Sequence, residues 1–555
     1  MLDVLIKNGR VVDGTGNTWY RSDIAIQGDE IVDIAVNLDL QARKVIDAAE
    51  DIVAPGFIDT HSHSDLMLLV EPEAKQKIMM GVTTELLGQD GLSTAPVKSE
   101  DVDYLRKRLS GLLGKPDVSW DWRTPKDYLD ALERAKPATN LAWLVPHGQV
   151  RVTAKGHDAN PPTLEELEKM KSLVKAAMED GAFGISSGLI YPPCSFAKME
   201  ELVELCRVAA QYGGIFVVHM RNESESLLQA VAEVLEISRQ SGAPLHVSHL
   251  KAAGKKNWGK IRDVLAMFDE ARSRGQDVTF DQYPYVAGST MLDAVIPPWA
   301  HEGGVDKFLT RIADRDVRDR IRKDISGDSA GWENWVGSCG WNGVIVTAVK
   351  SQKNKGLEGK SVAQICEELG KDPVDAVCDL LIEEDTAVSM AIFWGTEEDV
   401  ATAMKHPLQM VATDGLLGGK PHPRVYGTYP RVLGKYVRED KVLTLPEAVR
   451  KMTSLPAQRL GLKDRGVIRP GMKADITIFD EARVIDKATY VNPHQFPEGI
   501  RYVLVNGQIT VDRGRYRPVR AGRVLRKGLK CLRKRRRNGC LGTRRGVRGG
   551  RSRGP

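Results

Sequence analysis

Two histidines, His61 and His63, lie two residues apart at the end of an apolar run that predicts a buried strand. Side chains two residues apart on an extended strand point to the same face, so both imidazoles can reach one centre. Imidazole is the commonest protein metal ligand near neutral pH. The spacing therefore indicates a metal-binding pair, provided that the rest of the chain supplies further ligands.

Four more histidine or aspartate side chains follow predicted strands: Asp90, His219, His249 and Asp414. In a barrel of parallel strands these strand ends meet at one mouth. Four histidines and two carboxylates at that mouth predict a metal centre. Nitrogen and oxygen ligands without thiolate suit Zn²⁺, and iron, manganese or cobalt would also fit.

The remaining histidines differ in position. Among them, only His147 shares a place at a strand end. His246 points to the opposite face of its strand, where packing or hydrogen bonding is expected. We therefore leave both outside the predicted metal centre.

The predicted chemistry of such a centre is hydrolysis. A divalent ion lowers the pKa of a water molecule to about 7 and polarises a carbonyl oxygen. A carboxylate must then take the proton of the water and hand it to the leaving nitrogen. Asp414, after the last predicted strand, is the candidate for this acid–base role, and it can also be a metal ligand.

The elements that must position these residues alternate between strand and helix. Capping residues such as Thr163, followed by Glu166, mark the helix starts. Eight parallel strands are predicted near 55–61, 82–88, 140–146, 182–187, 215–219, 245–249, 278–283 and 409–413. Eight strands, with no G-x-G-x-x-G opening a helix, favour an α/β fold of the closed (β/α)₈ TIM-barrel type.

Further regions complete the predicted organisation. Residues 1–55 and 465–520 read as short antiparallel strands that form one small β-sandwich, with hairpin turns at Asn8-Gly9 and Asn506-Gly507. The barrel spans 56–464. Within it, 286–407 is an insertion whose Trp- and Gly-rich part, 332–341, is a candidate lid.

Composition and charge limit the function classes. The chain has 555 residues, 42% hydrophobic and 28% charged, which is typical of globular proteins. It has no apolar run of about 18 residues for a membrane span, and its start lacks a signal-peptide pattern. The seven cysteines are scattered, which argues against a disulfide framework and favours a reducing cytoplasm.

The basic charge is concentrated at the C-terminus. Residues 523–555 contain 14 Lys and Arg and no acidic residue, and subtracting them from the net charge of +5 leaves −9 for the rest of the chain. The segment is of low complexity, and disorder is the preferred interpretation. Nucleic-acid binding through phosphates is the alternative, but nothing else in the chain supports it.

The chain resembles the amidohydrolase superfamily in its H-x-H pair, its later histidines and its final aspartate. Within that superfamily it is most similar to the N-acyl-D-amino-acid deacylases (D-aminoacylases). The runs that carry this resemblance are Gly56-Phe-Ile-Asp-Thr-His-Ser-His-Ser-Asp65, Gly81-Val-Thr-Thr84, Gly188-Leu-Ile-Tyr191-Pro-Pro, His219-Met-Arg-Asn-Glu223, Ser248-His-Leu-Lys251, Tyr283-Pro-Tyr-Val-Ala-Gly-Ser-Thr290, Thr413-Asp-Gly415 and Pro421-His-Pro-Arg-Val-Tyr-Gly427. They cover roughly residues 1–520, in order.

The resemblance implies a reaction and a metal arrangement. The reaction is hydrolysis of the acyl amide of a small N-acyl-D-amino acid. One tightly held zinc would bind His219, His249 and the residue after strand 2, and a second, weaker site would use the H-x-H pair and Asp414. The best-known members have Cys after strand 2, whereas this chain has Asp90. A hard carboxylate in place of a soft thiolate makes Fe²⁺ or Mn²⁺ more plausible.

The resemblance also implies substrate-binding residues. Arg424 would bind the substrate carboxylate, helped by Lys251 and Tyr283, while Tyr191 and Ser289 would line the pocket. A guanidinium suits this role because it binds a carboxylate bidentately. Each of these side chains could instead have a structural role, as a loop arginine, an ion pair or a packed side chain.

Three alternatives remain open from the sequence. One is an amidohydrolase acting on a dipeptide or, as dihydroorotases and hydantoinases do, on a cyclic amide. The cyclic-amide enzymes use a carboxylated lysine after strand 4, and the segment Ile185–Tyr191 has no lysine. Another is a catalytically dead scaffold, which the intact histidines and Asp414 argue against. The third is the nucleic-acid binder suggested by the tail alone.

Overall fold

The computed structural model describes residues 1–327 and 331–528. Its strands are β1 Leu2–Val11, β2 Tyr20–Gln27, β3 Glu30–Ala35, β4 Ala42–Asp47, β5 Ile52–Pro55, β6 Phe57–Asp59, β7 Val82–Leu87, β8 Asn140–Trp143, β9 Val145–Pro146, β10 Gly184–Gly188, β11 Ile215–His219, β12 Leu245–Val247, β13 Val278–Gln282, β14 Ala287–Met291, β15 Val344–Val349, β16 Val388–Phe393, β17 Gln409–Val411, β18 Ile476–Phe479, β19 Ile500–Val505, β20 Gln508–Asp512 and β21 Arg515–Tyr516.

Its α-helices are α1 Lys75–Met79, α2 Val102–Leu113, α3 Pro125–Ala135, α4 His147–Lys155, α5 Leu164–Glu179, α6 Met199–Gln211, α7 Leu227–Ser241, α8 Ile261–Ser273, α9 Val305–Ala313, α10 Arg315–Ser326, α11 Trp335–Cys339, α12 Val362–Leu369, α13 Pro373–Glu383, α14 Glu397–Lys405, α15 Arg424–Arg431, α16 Leu445–Met452 and α17 Ser454–Leu460.

The predicted parallel barrel is present. Strands β9 to β13 and β17 form one parallel sheet, and β6, β7 and β8 form another. The amide of Phe183 donates to the carbonyl of Trp143 at 2.9 Å, which joins β8 to the start of β10. At the other seam the amide of Asp414 donates to the carbonyl of His61 at 2.8 Å. These bonds close the ring and place the first and last strands side by side.

The helices between the strands follow the sequence signals. Thr163 and Glu166 form a reciprocal capping box at the start of α5, as the sequence predicts. The apolar faces of these helices pack on the barrel strands in one large buried core. This packing fixes the strand ends, and therefore the side chains that follow them.

A nine-stranded sheet is built from both ends of the chain, by β1–β5 and β18–β21. Most of its neighbouring strands are antiparallel, as expected. However, β4 and β5 pair with β1 in parallel, which the prediction of antiparallel hairpins did not include. The sheet encloses a separate small apolar core.

The two Asn-Gly pairs in this sheet behave differently. Asn506-Gly507 forms the tight turn between β19 and β20, as predicted. The hairpin prediction at Asn8-Gly9 is wrong, because both residues lie inside β1. There Asn8 has a positive φ of 61° and the register with β2 shifts, which is a β-bulge. The side-chain carboxylate of Asp23 accepts the Asn8 amide at 2.7 Å and supports the bulge.

The long interval between the last two barrel strands holds an antiparallel sheet of β14, β16 and β15, with helices α9 to α13 around it. This sheet and α11 stand over the carboxyl ends of the barrel strands. Trp335, within the predicted lid segment 332–341, lines the cavity at that end.

The first residues of the basic C-terminal segment are ordered, although disorder was expected for the whole segment. Residues 523–528 are described: Val524 forms a parallel bridge with Leu141 on β8, and Arg526 pairs with Asp130 at 2.5 Å. The rest of the basic segment, 529–555, lies outside the described residues. Within the described part of the chain, no helix is long and apolar enough to span a membrane.

Candidate metal centre

All six predicted ligand residues converge at the carboxyl ends of the barrel strands, and all are buried. Their potential ligand atoms form two groups in which every atom lies within 4.8 Å of the others. The first group, here called the strand-1/8 group, contains His61, His63, Asp90 and Asp414. The second, called the strand-5/6 group, contains Asp90, His219 and His249. Asp90 belongs to both.

The strand-1/8 group has the spacing of a tetrahedral site. His63 Nε2 lies 3.2 Å from Asp414 Oδ1 and 3.4 Å from Asp90 Oδ2. His61 Nε2 lies 3.5 Å from each of these two oxygens and 3.2 Å from His63 Nε2. A tetrahedral ion with nitrogen and oxygen ligands about 2.0–2.2 Å away separates those ligands by about 3.3–3.6 Å. Two imidazoles and two carboxylates at this spacing fit a divalent cation.

Electrostatics in the strand-1/8 group also favour a bound cation. Burial lowers the pKa of His63, but hydrogen bonds to Asp414 and Asp90 outweigh burial and raise it to about 9. Burial likewise opposes the ionised form of Asp414, yet Arg424 and His61 hold its pKa far below the usual range. The two buried carboxylates therefore demand positive charge, which protons on the imidazoles or a metal ion can supply.

The strand-5/6 group is more open. Asp90 Oδ1 lies 3.9 Å from His249 Nε2, and it has no hydrogen-bond partner among the described residues. Both ring nitrogens of His219 also lack one in that part of the chain. Burial lowers the pKa of His219 to about 3, so this imidazole is neutral. Buried polar atoms are normally paired, and these three unpartnered atoms suit a metal with an open coordination position.

Strained backbone carries three of the predicted ligand residues. Asp90, His249 and Asp414 have φ values of 56°, 33° and 47°, in the left-handed region that non-glycine residues rarely adopt. At Asp90 the strain is held by neighbours, because Ser186 Oγ accepts the amide of Gly91 at 3.0 Å. Such conformations cluster at functional sites, where the surrounding fold enforces them.

Outer residues orient the strand-5/6 histidines. Glu223 Oε1 lies 3.3 Å from His249 Nδ1, and Glu223 Oε2 lies 3.3 Å from His219 Nε2. A carboxylate keeps the proton on the ring nitrogen that it faces and leaves the other nitrogen free for a metal, which is Nε2 in His249 and Nδ1 in His219. Lys251 lies 2.7 and 2.8 Å from the two oxygens of Glu223. Sequence reasoning gave Glu223 no role, although its spacing of four residues from His219 was a usable signal.

Outer residues also support the strand-1/8 group. Asp59 accepts hydrogen bonds from Lys77 Nζ and from the backbone amide of Thr413, the latter at 2.9 Å. It thereby ties the strand before His61 to the strand before Asp414. These residues were not predicted, because their apolar sequence surroundings suggest only a core strand and a helix.

The histidines set aside in the sequence lie outside both groups. His246 is 2.9 Å from Asp281 and 2.8 Å from Thr279, on the opposite face of its strand, as expected. His147 contacts Glu201 and Ser187 at 2.9 Å each. Both side chains are used in buried hydrogen-bond networks.

A cavity opens above the two groups. Four of the five predicted substrate residues, Tyr191, Lys251, Tyr283 and Ser289, line it. The Tyr191 hydroxyl lies 2.7 Å from Thr290 Oγ1, and the Ser289 hydroxyl donates to the Met390 carbonyl at 2.8 Å. The cavity walls also include Leu112, Trp335, Ile392 and Trp394.

Arg424 lies behind this cavity rather than on its wall. Its guanidinium is 2.9 Å from Asp414 Oδ2, donates to the Ser289 carbonyl at 2.9 Å, and stacks 4.5 Å from the centre of the Tyr283 ring. The side chain is fully buried. Arg424 is therefore close to the site, but a substrate carboxylate reaches it only when a neighbouring side chain moves.

Comparison with known proteins places this geometry in a family. Residues 44–511 match the amidohydrolase family. From Alcaligenes xylosoxydans xylosoxydans, a D-aminoacylase is 34% identical over 94% of this chain and 97% of its own length. An N-acyl-D-glutamate deacylase is 36% identical (95% and 97%), and an N-acyl-D-aspartate deacylase is 33% identical (95% and 95%).

Solved structures show the same similarity. An N-acyl-D-glutamate deacylase from Bordetella bronchiseptica, complexed with zinc and a phosphonate mimic of the tetrahedral intermediate, has a TM-score of 0.80. It is 34% identical, and the match covers 95% of this chain and 99% of that one. A D-aminoacylase with a binuclear metal centre also has a TM-score of 0.80 at 34% identity, over 95% and 100% of the two chains.

Proposed function

Because the chain belongs to the amidohydrolase family, in the branch of the D-aminoacylases, we propose that it hydrolyses the acyl amide of N-acyl-D-amino acids. The products are a carboxylate and a free D-amino acid. The observation that carries the proposal is the convergence of four histidines and two aspartates beneath a cavity, with Arg424 beside Asp414. This arrangement combines a hydrolytic centre with a group that recognises a carboxylate.

The metal assignment follows the two ligand groups. We propose that His219, His249 and Asp90 of the strand-5/6 group would hold Zn²⁺, since three protein ligands are typical of catalytic zinc sites. A second, weaker divalent ion would bind His61, His63 and Asp414, with Asp90 shared between the two. Since all donors are nitrogen or oxygen, Fe²⁺ or Mn²⁺ also suits the centre. The shared position falls to Asp90 because β10 carries no lysine.

Asp414 is the acid–base residue of the proposed mechanism. A divalent ion supplies activation of water and polarisation of the scissile carbonyl. Asp414 accepts the proton of the attacking water and passes it to the leaving nitrogen, which releases the D-amino acid. The proposal is supported by its position, because the carboxylate lies 3.2 Å from His63 Nε2 and 2.9 Å from the Arg424 guanidinium, between the proposed metal ligands and the proposed carboxylate-binding residue.

Arg424 is the proposed carboxylate-binding residue. Its Nη1 pairs with Asp414 and its Nη2 donates to the Ser289 carbonyl, whereas its Nε has no partner among the described residues and is the donor left for a substrate. A guanidinium binds a carboxylate through two parallel bonds. Lys251 is a poorer candidate for this role, because Glu223 already holds its ammonium group. Tyr191, Tyr283 and Ser289 shape the cavity around the substrate.

The proposal is tested by hydrolysis of paired N-acetyl-D- and N-acetyl-L-amino acids by protein loaded with zinc, manganese or iron. We expect hydrolysis of the D series and loss of activity after chelation. Preference for the L series would contradict the stereochemical assignment. Hydrolysis of dihydroorotate or a hydantoin alone would place the chain with the cyclic-amide enzymes.

A further inference from the structure

We infer that the cavity selects N-acyl-D-amino acids whose side chains carry no charge, an inference that rests on the proposed deacylase function. The three curated relatives are named for different substrates, of which two, D-glutamate and D-aspartate, carry a second carboxylate. A site that takes such a substrate must pair two carboxylates at once. The charges around this cavity provide for one.

The cations near the cavity are already engaged. Lys251 is the only lysine or arginine among the described residues that line it. Its ammonium group lies 2.8 and 2.7 Å from the two oxygens of Glu223 and 2.8 Å from His249 Nδ1. Glu223 accepts two of the three donors of the ammonium group and opposes its charge. Arg424, behind the wall, is needed for the α-carboxylate.

Arg108 does not fill the gap. It lies one turn before Leu112 on α2, but it faces a neighbouring cavity on the other side of Tyr191. There its guanidinium pairs with Asp293 at 3.1 Å and donates to the Pro192 carbonyl. A side-chain carboxylate drawn toward Arg108 would have to displace Asp293.

The walls above the metal ligands are largely apolar. They are formed by Leu112 at the end of α2, Trp335 on α11, Ile392 on β16 and Trp394 just after it, each at most 4% exposed. Whichever wall receives the substrate side chain, it meets hydrocarbon or aromatic surface. Burying an unpaired carboxylate against such surface is strongly unfavourable, whereas an apolar side chain gains from the same contact.

The polar groups of these walls are neutral. The hydroxyls of Tyr191 and Thr290 are bonded to each other, and Ser289 donates to a backbone carbonyl. The indole N–H groups of Trp335 and Trp394 have no partner among the described residues. A neutral donor suits an amide or carbonyl oxygen, so uncharged polar side chains are tolerated while a full negative charge is left without a counter-ion.

The test compares substrates that differ in charge but little in shape. Metal-loaded protein is assayed with the N-acetyl derivatives of D-methionine, D-leucine, D-glutamine, D-glutamate and D-aspartate. We expect kcat/KM for D-methionine to exceed that for D-glutamate by about 100-fold or more. Glutamine and glutamate are nearly isosteric, so a gain of about tenfold or more from glutamate to glutamine isolates the charge.

A variant tests the wall directly. Leu112→Lys adds a cation at the end of α2, and Leu112→Met is its neutral control. We expect the ratio of kcat/KM for D-glutamate over D-glutamine to rise about tenfold in Leu112→Lys and to stay unchanged in Leu112→Met. Circular dichroism checks that both variants fold. If they do not, the comparison of the five N-acetyl substrates on the unmodified protein decides whether the cavity excludes charged side chains.

The outcomes separate the inference from the function on which it rests. If kcat/KM for N-acetyl-D-glutamate or N-acetyl-D-aspartate is within tenfold of that for N-acetyl-D-methionine, the inference is overturned and the deacylase proposal stays intact. Hydrolysis of none of the N-acetyl-D-amino acids overturns both.

Discussion

The two ligand groups share Asp90 but are built on different principles. The strand-1/8 group crowds two carboxylates against two histidines, and His63 consequently has a pKa raised to about 9. The strand-5/6 group keeps His219 neutral, with a pKa near 3 caused by burial. In metal-free protein at neutral pH, the first group holds protons in the place of an ion, whereas His219 in the second is ready to bind one. The comparison teaches that protonation of the histidines can determine the order in which metal ions occupy the two groups.

The supports of the two groups differ as well. A buried pair, Lys77 and Asp59, links the first and last strands beneath the strand-1/8 group. The strand-5/6 group depends on Glu223 and Lys251, in loops that follow β11 and β12. Damage to the first support should therefore reduce the stability of the barrel, and damage to the second should reduce metal affinity.

The largest expected effect is on catalysis. Asp414→Asn removes the proposed proton shuttle, and we expect kcat to fall by about 10²–10⁴-fold. Because Asp414 does not belong to the strand-5/6 group, one zinc per chain should remain bound. Elemental analysis and steady-state kinetics measure the two quantities. An asparagine variant within tenfold of the unmodified kcat would remove Asp414 from the proton path.

The next effect is on stability. Lys77→Met leaves the carboxylate of Asp59 buried without its cation, and we expect the free energy of unfolding to fall by about 3–5 kcal/mol. Lys75→Met, in the same helix but exposed, is the matched control and should change stability by less than about 1 kcal/mol, because it removes only cation–π contacts with Phe496 and Tyr516. Urea unfolding of both variants checks this. Equal losses in the two variants would show that the buried pair does not stabilise the seam.

A smaller effect is expected on metal affinity. Glu223→Gln removes the charge beside His219 and His249, and we expect the dissociation constant of the first zinc to rise about 10–100-fold. Glu225→Gln, two residues further along and exposed, is the control. Competition with a chromophoric chelator measures the constant. Unchanged affinity in Glu223→Gln would mean that the strand-5/6 histidines are oriented without it.

The smallest expected effect is on the number of protons that are released when each metal ion binds. Because the pKa of His63 is raised to about 9, an ion that enters the strand-1/8 group near neutral pH displaces its proton. The pKa of His219 is lowered to about 3, so an ion that enters the strand-5/6 group displaces no proton from that imidazole. Affinity of the second ion should therefore increase as pH rises toward 9, while affinity of the first changes much less. Calorimetry of zinc binding in buffers of different ionisation enthalpy counts the released protons. Release of equal numbers of protons by the first and second zinc ions would contradict the proposed difference in protonation between the two groups.

The sequence predicted the barrel and the convergence of the six candidate ligand residues, because both depend on local pattern. Apolar runs mark the strands, and the residue after each run marks its end. It did not predict that Lys251 would be held by Glu223, because that contact joins loops after two different strands. Nor did it place Arg424 behind the cavity wall, since burial depends on how the 286–407 insertion packs. The bulge at Asn8 was missed because a turn and a bulge both use Asn-Gly.

The most direct test of the two-group account is zinc titration of metal-free protein crystals at pH 6, read by anomalous diffraction. The account predicts that the first equivalent lies among Asp90, His219 and His249, and that a second appears beside His61, His63 and Asp414 only at higher pH. Zinc that first occupies the His61–His63 side, or no anomalous signal at Asp90, would contradict it.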